Sequence, residues 1–410
     1  MQFIADFHIH SKYSRATSPS MDVENIAKYA RMKGISLVGT GDFTHPLWLK
    51  ELKEKLKPLG NGLFDYDGML FMLTGEVNNF FQKGGKLKQI HNILFAPSFE
   101  VVEQINEQLG KKGELKSDGR PSLDMTASEL VELVTSISKD CAVVPAHAWT
   151  PWRSIFGSAS GFDSVEECFG EQSRHIFALE TGLSSDPKMN WMLSSLDKYA
   201  LISNSDSHSL QKIGREANVF SLEKPSYHSI LDAVRKKDKD KFKMTIEFFP
   251  EEGKYHYDGH RDHNVRLSPE ESMKNNNLCP VCKKKLTIGV MHRVMELADR
   301  KYGYTPPDAI PFVHVIPLDE LIANVRGKHA GSVSVQKEYS SLISSFGTEF
   351  NILLNATPEE LRNKIPEEIA DVIIKVREGK VHILPGYDGV YGEIKPIATE
   401  SGQSSLSKFL

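Results

Sequence analysis

Short apolar runs alternate with stretches of helical period along roughly the first half of the chain. The segment 3–8 predicts a strand, and residues 22–33 predict an amphipathic helix that ends at Gly34. Further apolar runs, typical of strands, occupy the ranges 35–40, 69–77, 90–95, 142–146, 176–181 and 200–205. Helical patterns lie between them, at 47–56, 100–109, 127–138 and 190–196. The alternation predicts a parallel α/β sheet with crossover helices, either closed into a barrel or open and doubly wound.

The pattern changes after Tyr227. A lysine-rich helix is predicted up to residue 243, and a strand at 245–249 precedes a loop rich in His and Asn. The chain is predicted to be helical from 290, apart from a break at 305–307, and ends in a turn-rich segment at 385–392 and a polar tail. We therefore expect a barrel domain at 1–248, a small module at 249–290, a mostly helical C-terminal domain at 291–398 and a flexible tail at 399–410.

Composition narrows the functional class only slightly. The chain has 410 residues and a net charge of −4, with 25% charged residues, so a polyanionic partner is neither required nor excluded. The lysine-rich run at 235–241 is either a local basic strip or a solvated helix end. No apolar run reaches the roughly 18 residues of a membrane span, and no secretory signal opens the chain. These features favour a cytoplasmic protein, with Cys141 and Cys168 as core residues.

Residue types that bind metals stand at or near the predicted strand ends. They are His8, His10, Asp42 (with His45 three residues on), Glu76, His91, His147, Asp206 and His208. The carboxyl ends of parallel strands meet at one edge, and burying so many imidazoles and carboxylates would be costly unless cations neutralised them. Mixed nitrogen and oxygen ligands favour Zn, Mn or Fe, and this many ligands indicates more than one metal. Such a site can hydrolyse phosphate esters.

A second metal signal lies in the module. His260 and His263, three residues apart, are followed by Cys279 and Cys282 with the same spacing. Two such pairs can close a tetrahedron around one zinc ion, with His256 as a spare ligand. The alternative is that the two cysteines lie close in sequence without binding a metal. Four protein ligands would leave no open position, so the predicted zinc is structural.

The strand-end motifs resemble those of the PHP (polymerase and histidinol phosphatase) family. The matching segments are 6–11 (DFHIHS), 40–42 (TGD), 75–76 (GE), 91–94 (HNIL), 146–147 (AH) and 205–208 (SDSH). The resemblance implies a distorted (β/α)7 barrel with two or three divalent metals (Zn, Mn or Mg), held by His8, His10, Glu76, His91, His147, Asp206 and His208. The family commonly has a histidine where Phe43 stands here. Either Asp42 or His45 then takes that role.

Longer strings resemble the archaeal endonuclease Q family. They are 39–46 (GTGDFTHP), 248–256 (FFPEEGKYH), 258–261 (DGHR) and 385–392 (PGYDGVYG), and the similarity runs nearly end to end. It implies a DNA repair endonuclease acting on duplex DNA. Such an enzyme would cleave 5′ to hypoxanthine, uracil, xanthine or abasic sites, leaving a 3′ hydroxyl and a 5′ phosphate, and would be nucleoid-associated in a prokaryote. His263 stands where relatives often have cysteine, which zinc tolerates.

Two rival functions stay open at this point. A phosphatase of small phosphomonoesters, of the histidinol-phosphatase type, would need only the barrel. A catalytically inactive PHP module could act as a DNA-binding or clamp-recruited adaptor. The aromatic and basic residues Trp149, Trp152 and Arg153, which follow His147, either line a base pocket or cap the barrel.

The last residues match the spacing of a sliding-clamp (PCNA) interaction motif. The residues concerned are Gln403, Leu406, Phe409 and Leu410. A short turn would present the apolar side chains to a pocket on the clamp while the glutamine forms hydrogen bonds nearby. The alternative is an ordinary chain end.

Overall fold

The computed structural model describes residues 1–396, so the predicted clamp motif lies outside the described residues. The strands are β1 (Gln2–Asp6), β2 (Leu37–Gly39), β3 (Lys57–Pro58), β4 (Phe64–Tyr66), β5 (Met69–Lys83), β6 (Lys86–Ala96), β7 (Ser122–Asp124), β8 (Ala142–Pro145), β9 (Ala178–Glu180), β10 (Ala200–Ile202), β11 (Ala217–Ser221), β12 (Phe242–Glu247), β13 (Asp258–His260), β14 (Val265–Leu267), β15 (Phe312–His314), β16 (Val381–Leu384) and β17 (Glu393–Pro396).

The helices are placed between and after these strands. They are α1 (Val23–Lys33), α2 (Pro46–Lys55), α3 (Phe99–Leu109), α4 (Ala127–Ile137), α5 (Val165–Phe169), α6 (Pro187–Asn190), α7 (Tyr227–Arg235), α8 (Pro269–Lys274), α9 (Val290–Leu297), α10 (Leu318–Arg326), α11 (Val333–Phe346), α12 (Pro358–Lys364) and α13 (Glu367–Arg377). In the described part of the chain, no helix is long and apolar enough to cross a bilayer.

One large mixed sheet carries most of the barrel. Its order is β15-β12-β11-β1-β2-β5-β4-β3, with β6 and β7 paired to β5 and β8 paired to β6. The strands β9 and β10 form a separate parallel pair. A backbone hydrogen bond of 2.9 Å from Ala148 to Glu180 links the segment after β8 to β9. The first helix has the predicted ends, because Asp22 caps its first turn and Gly34 adopts the left-handed conformation at its last.

The strand directions differ from the prediction of a purely parallel sheet. β5 and β6 form a long antiparallel hairpin that pairs Leu73 with Ala96 at one end and Lys83 with Lys86 at the other. Apolar runs look alike in parallel and antiparallel strands when both faces are buried, so the pattern could not distinguish them. Gly84 and Gly85, both at positive φ, form the turn of the hairpin, and a Gly-Gly pair between two apolar runs is typical of such turns.

Two predicted helices are shorter than expected. The segment 190–196 contains only the end of α6 and a 3-10 turn at Ser194–Leu196. The lysine-rich helix ends at Arg235, and Phe242 already belongs to β12. Lys237 lies at positive φ and pairs with Asp308 at 2.6 Å, so the chain folds onto the C-terminal region instead of continuing the helix.

The C-terminal region packs directly on the barrel. Its strand β15 extends the main sheet by pairing in parallel with β12. A buried ion pair joins Lys33 of α1 to Glu349, with 2.6 Å between Nζ and Oε2. The Tyr339 hydroxyl donates to the same carboxylate at 2.7 Å. The helices α10–α13 therefore pack against the barrel through both a sheet edge and a buried charge pair.

Candidate metal centre

Two groups of potential metal ligands meet at one buried carboxylate. Atoms of His8, His10, Glu76 and Asp206 lie within 4.8 Å of one another, and so do atoms of Glu76, His91 and His147. Glu76 belongs to both groups. His8, His10 and Asp206 follow β1 and β10, while Glu76 and His91 lie within the β5–β6 hairpin. The predicted ligands therefore meet even though two of them come from the middle of long strands.

The carboxylate of Glu76 divides its two oxygens between the groups. Glu76 Oε2 lies 3.4 Å from His8 Nε2 and 3.2 Å from His10 Nε2. Glu76 Oε1 lies 2.7 Å from His91 Nδ1 and 3.1 Å from His147 Nε2. Ligand atoms about 2.1 Å from a shared metal would be roughly 3.0 to 3.4 Å apart. The spacing therefore fits a carboxylate shared by two divalent cations.

Asp206 completes the first group. Its Oδ1 atom lies 3.1 Å from His10 Nε2 and 3.6 Å from His8 Nε2. Burial opposes its charge, but His8 and His10 hold the pKa of this carboxyl well below its usual range. Asp206 has a φ of +45°, a left-handed conformation that is uncommon outside glycine. A strained backbone thus holds an ionised carboxylate against two imidazoles.

The remaining ring nitrogens of the first group are tied to carboxylates. His8 Nδ1 lies 3.0 Å from Glu180 Oε1, and His10 Nδ1 lies 2.8 Å from Asp42 Oδ1. An imidazole that donates from Nδ1 keeps a lone pair on Nε2, the atom that faces Glu76. Within the described residues, the buried His8 Nε2 atom has no hydrogen-bond partner. Such an orphaned atom beside two carboxylates fits a cation.

Asp42 lies one layer behind the ligand groups. Its Oδ1 atom faces His10, and its Oδ2 atom accepts hydrogen bonds from the Ser11 backbone at 2.6 Å and the Ser11 hydroxyl at 2.7 Å. The geometry favours a positioning role over the direct ligation proposed from sequence. His45, the alternative to Asp42, makes other contacts: its Nε2 atom lies 3.3 Å from the Lys116 carbonyl, and its ring stacks on Tyr13.

His208 is the other predicted ligand outside both groups. Its Nδ1 atom lies 3.0 Å from the Asp206 carbonyl, and its ring centroid lies 4.3 Å from that of His10. The side chain is partly exposed at the rim of the site. It is therefore close enough to border a further cation or a substrate phosphate, without belonging to the two groups that share Glu76.

Sequence reasoning missed two charged residues of this site. Arg120, in the loop before β7, places Nη1 3.1 Å from Glu76 Oε2, and this carboxylate raises the arginine pKa. Glu180, the last residue of β9, accepts from the His147 backbone N–H at 2.7 Å as well as from His8. No motif spacing marks Arg120. Glu180 ends an apolar strand, as the other acidic residues of the site do, and that was the available signal.

A cavity of about 740 Å³ opens beside the second ligand group. His91, His147, Arg120 and Asp206 form its inner wall, and Trp152 and Arg153 stand at its outer part. Trp152 is 49% exposed, whereas Trp149 is buried in the core and donates from Nε1 to Asn190. The two tryptophans therefore differ in position. Trp152 faces the cavity, and Trp149 packs inside the barrel.

The module at 249–290 brings its four predicted ligands together. Atoms of His260, His263, Cys279 and Cys282 lie within 4.8 Å of one another. Cys282 Sγ lies 3.4 Å from His260 Nδ1, and Cys279 Sγ lies 3.8 Å from His263 Nδ1. Two thiols and two imidazoles arranged in this way are a donor set typical of tetrahedral zinc. The spare candidate His256 is buried and lies outside this group.

Comparison with known proteins shows similarity over nearly the whole chain. The structure superposes on the lesion-specific endonuclease PfuEndoQ from Pyrococcus furiosus with a TM-score of 0.87 and 33% identity, covering 97% of this chain and 96% of the other. It superposes with a TM-score of 0.85, 33% identity and 97% coverage of both chains on endonuclease Q in complex with a 27-mer duplex substrate that carries an abasic lesion at the active site.

Two sequence relatives extend the comparison. The uncharacterised protein YqxK of Bacillus subtilis is 28% identical over 96% of this chain and 99% of its own length. The uncharacterised protein MJ0043 of Methanocaldococcus jannaschii is 32% identical over 60% of this chain, which is 31% of its own length. Residues 317–380, the helical region, match the family model of the MJ0043 C-terminal domain.

Proposed function

The chain belongs to the endonuclease Q family and is a metal-dependent DNA repair endonuclease, and we propose that it cleaves duplex DNA on the 5′ side of deaminated bases and abasic sites. The observation that carries the proposal is Glu76, which presents one oxygen to each of two ligand groups beside a cavity large enough for a nucleotide. The reaction is hydrolysis: water adds to phosphorus, the bond to the 3′ oxygen breaks, and a 3′ hydroxyl and a 5′ phosphate remain.

Six side chains would hold two divalent metals, and a seventh, His208, would border them. His8, His10, Glu76 and Asp206 form one position, His91 and His147 complete the other through Glu76, and His208 borders the first. When bound, the metals supply a Lewis acid that activates water and neutralises phosphate charge. Zn, Mn or Mg would suit this mixed donor set, and the ligand pattern supports two or three ions.

The other residues orient and bind. Asp42 and Glu180 fix the imidazole rings of His10 and His8 by accepting from their Nδ1 atoms. Arg120 places a permanent cation at the inner wall of the cavity, where it can contact an oxygen of the target phosphate. A base buried in a duplex cannot reach this wall, so the target nucleotide must leave the stack, and a damaged or missing base lowers that cost.

The module and the tail supply contacts that a metabolite phosphatase would not need. A structural zinc on His260, His263, Cys279 and Cys282 would hold a turn that carries the exposed Lys283, Lys284 and Lys285 near the DNA backbone. Gln403, Leu406, Phe409 and Leu410 would bind a sliding clamp, which would keep the enzyme on duplex DNA. Such an enzyme would work in the compartment that contains the genome.

The test is a nicking assay on labelled duplexes that carry one deoxyuridine, deoxyinosine, deoxyxanthosine or abasic site, with Mg²⁺ or Mn²⁺. We expect a single cut 5′ to the lesion and no cut in the undamaged duplex. Glu76→Gln should abolish cutting because it removes the charge shared by both metal positions. Hydrolysis of p-nitrophenyl phosphate with no lesion-dependent nick would instead support the phosphomonoesterase alternative. Tight DNA binding with neither activity would support the adaptor.

A further inference from the structure

A strip of aromatic side chains runs outward from the cavity. Trp152 lines the cavity, and its ring centroid lies 5.1 Å from that of Tyr255, which enters from the module. Beside Tyr255, the Lys254 ammonium lies 4.4 Å from the ring centroid of Tyr391, in the C-terminal turn 385–392. We call Trp152, Tyr255 and Tyr391 the aromatic strip. It connects three separate parts of the chain on one surface.

Two of the three side chains in the strip are exposed, and Tyr255 between them in sequence is partly buried. Trp152 is 49% exposed and Tyr391 is 68% exposed, and Val390 beside Tyr391 is 39% exposed. Large apolar side chains that gather at the surface next to an active site are typical of a binding surface. Isolated exposed aromatics would need no explanation, but Trp152 packs against Tyr255, and Lys254, the residue before Tyr255, lies over the ring of Tyr391.

The outer end of the strip is held rigidly. The backbone N–H groups of Gly386, Gly389 and Gly392 donate to the carbonyls of Glu251, Lys254 and Glu252 at 2.8, 2.9 and 3.0 Å. Glycine is needed at Gly392, where a Cβ would lie 2.0 Å from the Glu251 carbonyl oxygen. Because the turn is already ordered, contacts made by Tyr391 do not have to offset the entropy of ordering a loop.

The inner end is equally well anchored. The carbonyl of Arg153, next to Trp152, accepts a 2.9 Å hydrogen bond from the backbone N–H of the metal-ligand candidate His91. Arg153 itself has a φ of +62° and is exposed at the cavity mouth. The position of Trp152 is therefore tied to the metal centre through the backbone.

Three exposed side chains along the strip carry positive charge, and the carboxylates of Asp262 and Asp388 lie beside one of them, Arg261. Lys254, Arg153 and Arg261 are exposed, and the Arg261 guanidinium lies beside Gly389, where a Cβ would be 3.4 Å from Nη1. Aromatic faces interleaved with cations bind unpaired nucleic acid, because bases stack on the rings while the cations follow the phosphates. A lipid surface or an apolar protein partner would not need this alternation.

We propose that the aromatic strip stacks the bases that lose their pairing and stacking partners when the target nucleotide enters the cavity. This rests on the proposed function and adds a role for residues outside the metal centre. Extruding one nucleotide leaves an unpaired base opposite it and an empty place in the base stack of its own strand. Stacking on Tyr391 and Tyr255 stabilises that opened duplex, which makes binding selective for DNA in which the extrusion has occurred.

The test measures DNA affinity and base stacking in the full-length protein. One duplex carries a stable abasic analogue opposite a fluorescent 2-aminopurine, and a matched duplex is undamaged. Fluorescence anisotropy is recorded with Ca²⁺, after a gel has verified that the strands stay intact. Tyr391→Ala should weaken binding to the abasic duplex by roughly 5- to 150-fold, the range expected for loss of one base-stacking contact. The Kd of the undamaged duplex should not change.

The 2-aminopurine signal reports the stacking itself. Wild-type protein should quench it, Tyr391→Ala should leave it bright, and Tyr391→Trp should restore both quenching and affinity. Tyr304→Ala is the matched control, because Tyr304 is 43% exposed and also lies beside a cation, Arg300, but outside the strip. Since Tyr391 is mostly exposed, its replacement removes no core contact.

The proposal is overturned if Tyr391→Ala binds both duplexes as wild type does, or if it weakens both equally, which would indicate a contact with the backbone only. It is also overturned if Trp152→Ala and Tyr391→Ala leave the 2-aminopurine signal unchanged. Failure of the proposed function has a different signature, namely wild-type protein that nicks no lesion duplex at all.

Discussion

At the scale of single residues, several buried side chains form hydrogen bonds to the candidate metal ligands on the side away from the cavity. Glu180 contacts both His8 and the backbone of His147, which has a φ of +31°. Gly182 makes room for this arrangement, because a Cβ there would lie 2.5 Å from the Cβ of His147. One buried carboxylate therefore contacts candidate ligands from both groups that share Glu76.

Replacing Asp42 should reduce metal affinity and nicking activity together. In Asp42→Asn, one carboxylate oxygen becomes an NH2 group, which donates hydrogen bonds and cannot accept them. The single remaining oxygen cannot accept from both His10 and Ser11, so the imidazole of His10 loses its orientation. We expect nicking activity to fall by roughly 10- to 100-fold, with a matching loss of metal affinity in a titration, as is usual for such second-layer partners. The DNA affinity should stay unchanged.

His45→Ala is the companion variant, since the sequence left Asp42 and His45 as alternatives. His45 contacts the Lys116 carbonyl and Tyr13 in this structure. We expect its loss to leave the metal affinity intact. If His45→Ala loses more metal than Asp42→Asn does, then His45 is the ligand and the role given to Asp42 is wrong.

Two buried glutamates, Glu216 and Glu247, should make the stability of the fold depend on pH. Burial raises the pKa of Glu247 to about 7, although the hydroxyls of Thr245 and Thr181 donate to it. Burial and the neighbouring Glu247 raise the pKa of Glu216 well above its usual range. The folded protein thus keeps protons that the unfolded chain releases above about 4.5, the ordinary value. The contribution of Glu247 to stability is present at low pH and is lost as pH rises through about 7.

Glu247→Gln tests this sign. The amide keeps hydrogen bonds to both threonines and carries no charge at any pH. We expect the variant to have a higher Tm than wild type at pH 8, where the carboxylate is forced to ionise, and a similar Tm at pH 5. Calorimetry at the two pH values measures the difference. A Tm gain at pH 5 that is as large as at pH 8 would contradict the assigned pKa.

At the scale of elements, the β5–β6 hairpin and the module bring their candidate ligands together in different ways. The hairpin pairs Glu76 with Ile93 and Asn78 with His91, so Glu76 and His91 are brought together by strand register alone. A slip of one residue in either strand would turn one of these two side chains to the opposite face and separate the pair. The module instead has only the short strands β13 and β14 and the helix α8, and it brings four candidate zinc ligands around one point.

The module should therefore fail as a unit when one ligand is lost. Cys282→Ser is expected to remove one zinc ion per chain in elemental analysis, leave the barrel metals in place, and increase protease cleavage within 249–290. Metal binding and folding are coupled in such small sites. Cys141→Ala is the matched control, because it removes a buried thiol outside both metal sites. Unchanged zinc content in Cys282→Ser would contradict the assignment.

At the scale of the whole molecule, the C-terminal region is part of the barrel architecture. β15 extends the main sheet, and the turn 385–392 is hydrogen-bonded to the segment 251–257. Removing everything after the barrel would therefore expose a sheet edge and leave Lys33 buried without Glu349. The barrel alone is a poor test of the phosphatase alternative, because its failure would report only misfolding.

A cut after Pro396 avoids this problem and tests the predicted clamp motif. The shortened chain loses Gln403, Leu406, Phe409 and Leu410 but keeps every described element. We expect it to nick lesion DNA at the wild-type rate and to lose both binding to the sliding clamp and any stimulation by it. The double variant Leu406→Ala, Phe409→Ala should behave in the same way. Loss of nicking without clamp would show that the tail serves the reaction itself.

The sequence alone determined the local features whose cause is local. Spacing and residue type marked the helix α1 with both ends, the metal-ligand motifs and the two ligand pairs of the module, because caps, strand ends and chelating turns are set by neighbouring residues. It could not decide the direction of β5 and β6, the hydrogen bonds of Asp42 to His10 and Ser11, or the positions of Arg120 and Glu180 beside the proposed ligands. These depend on which strands pair and on which buried atoms already have partners. Only the tertiary structure, by packing distant segments around Glu76, decides such long-range contacts.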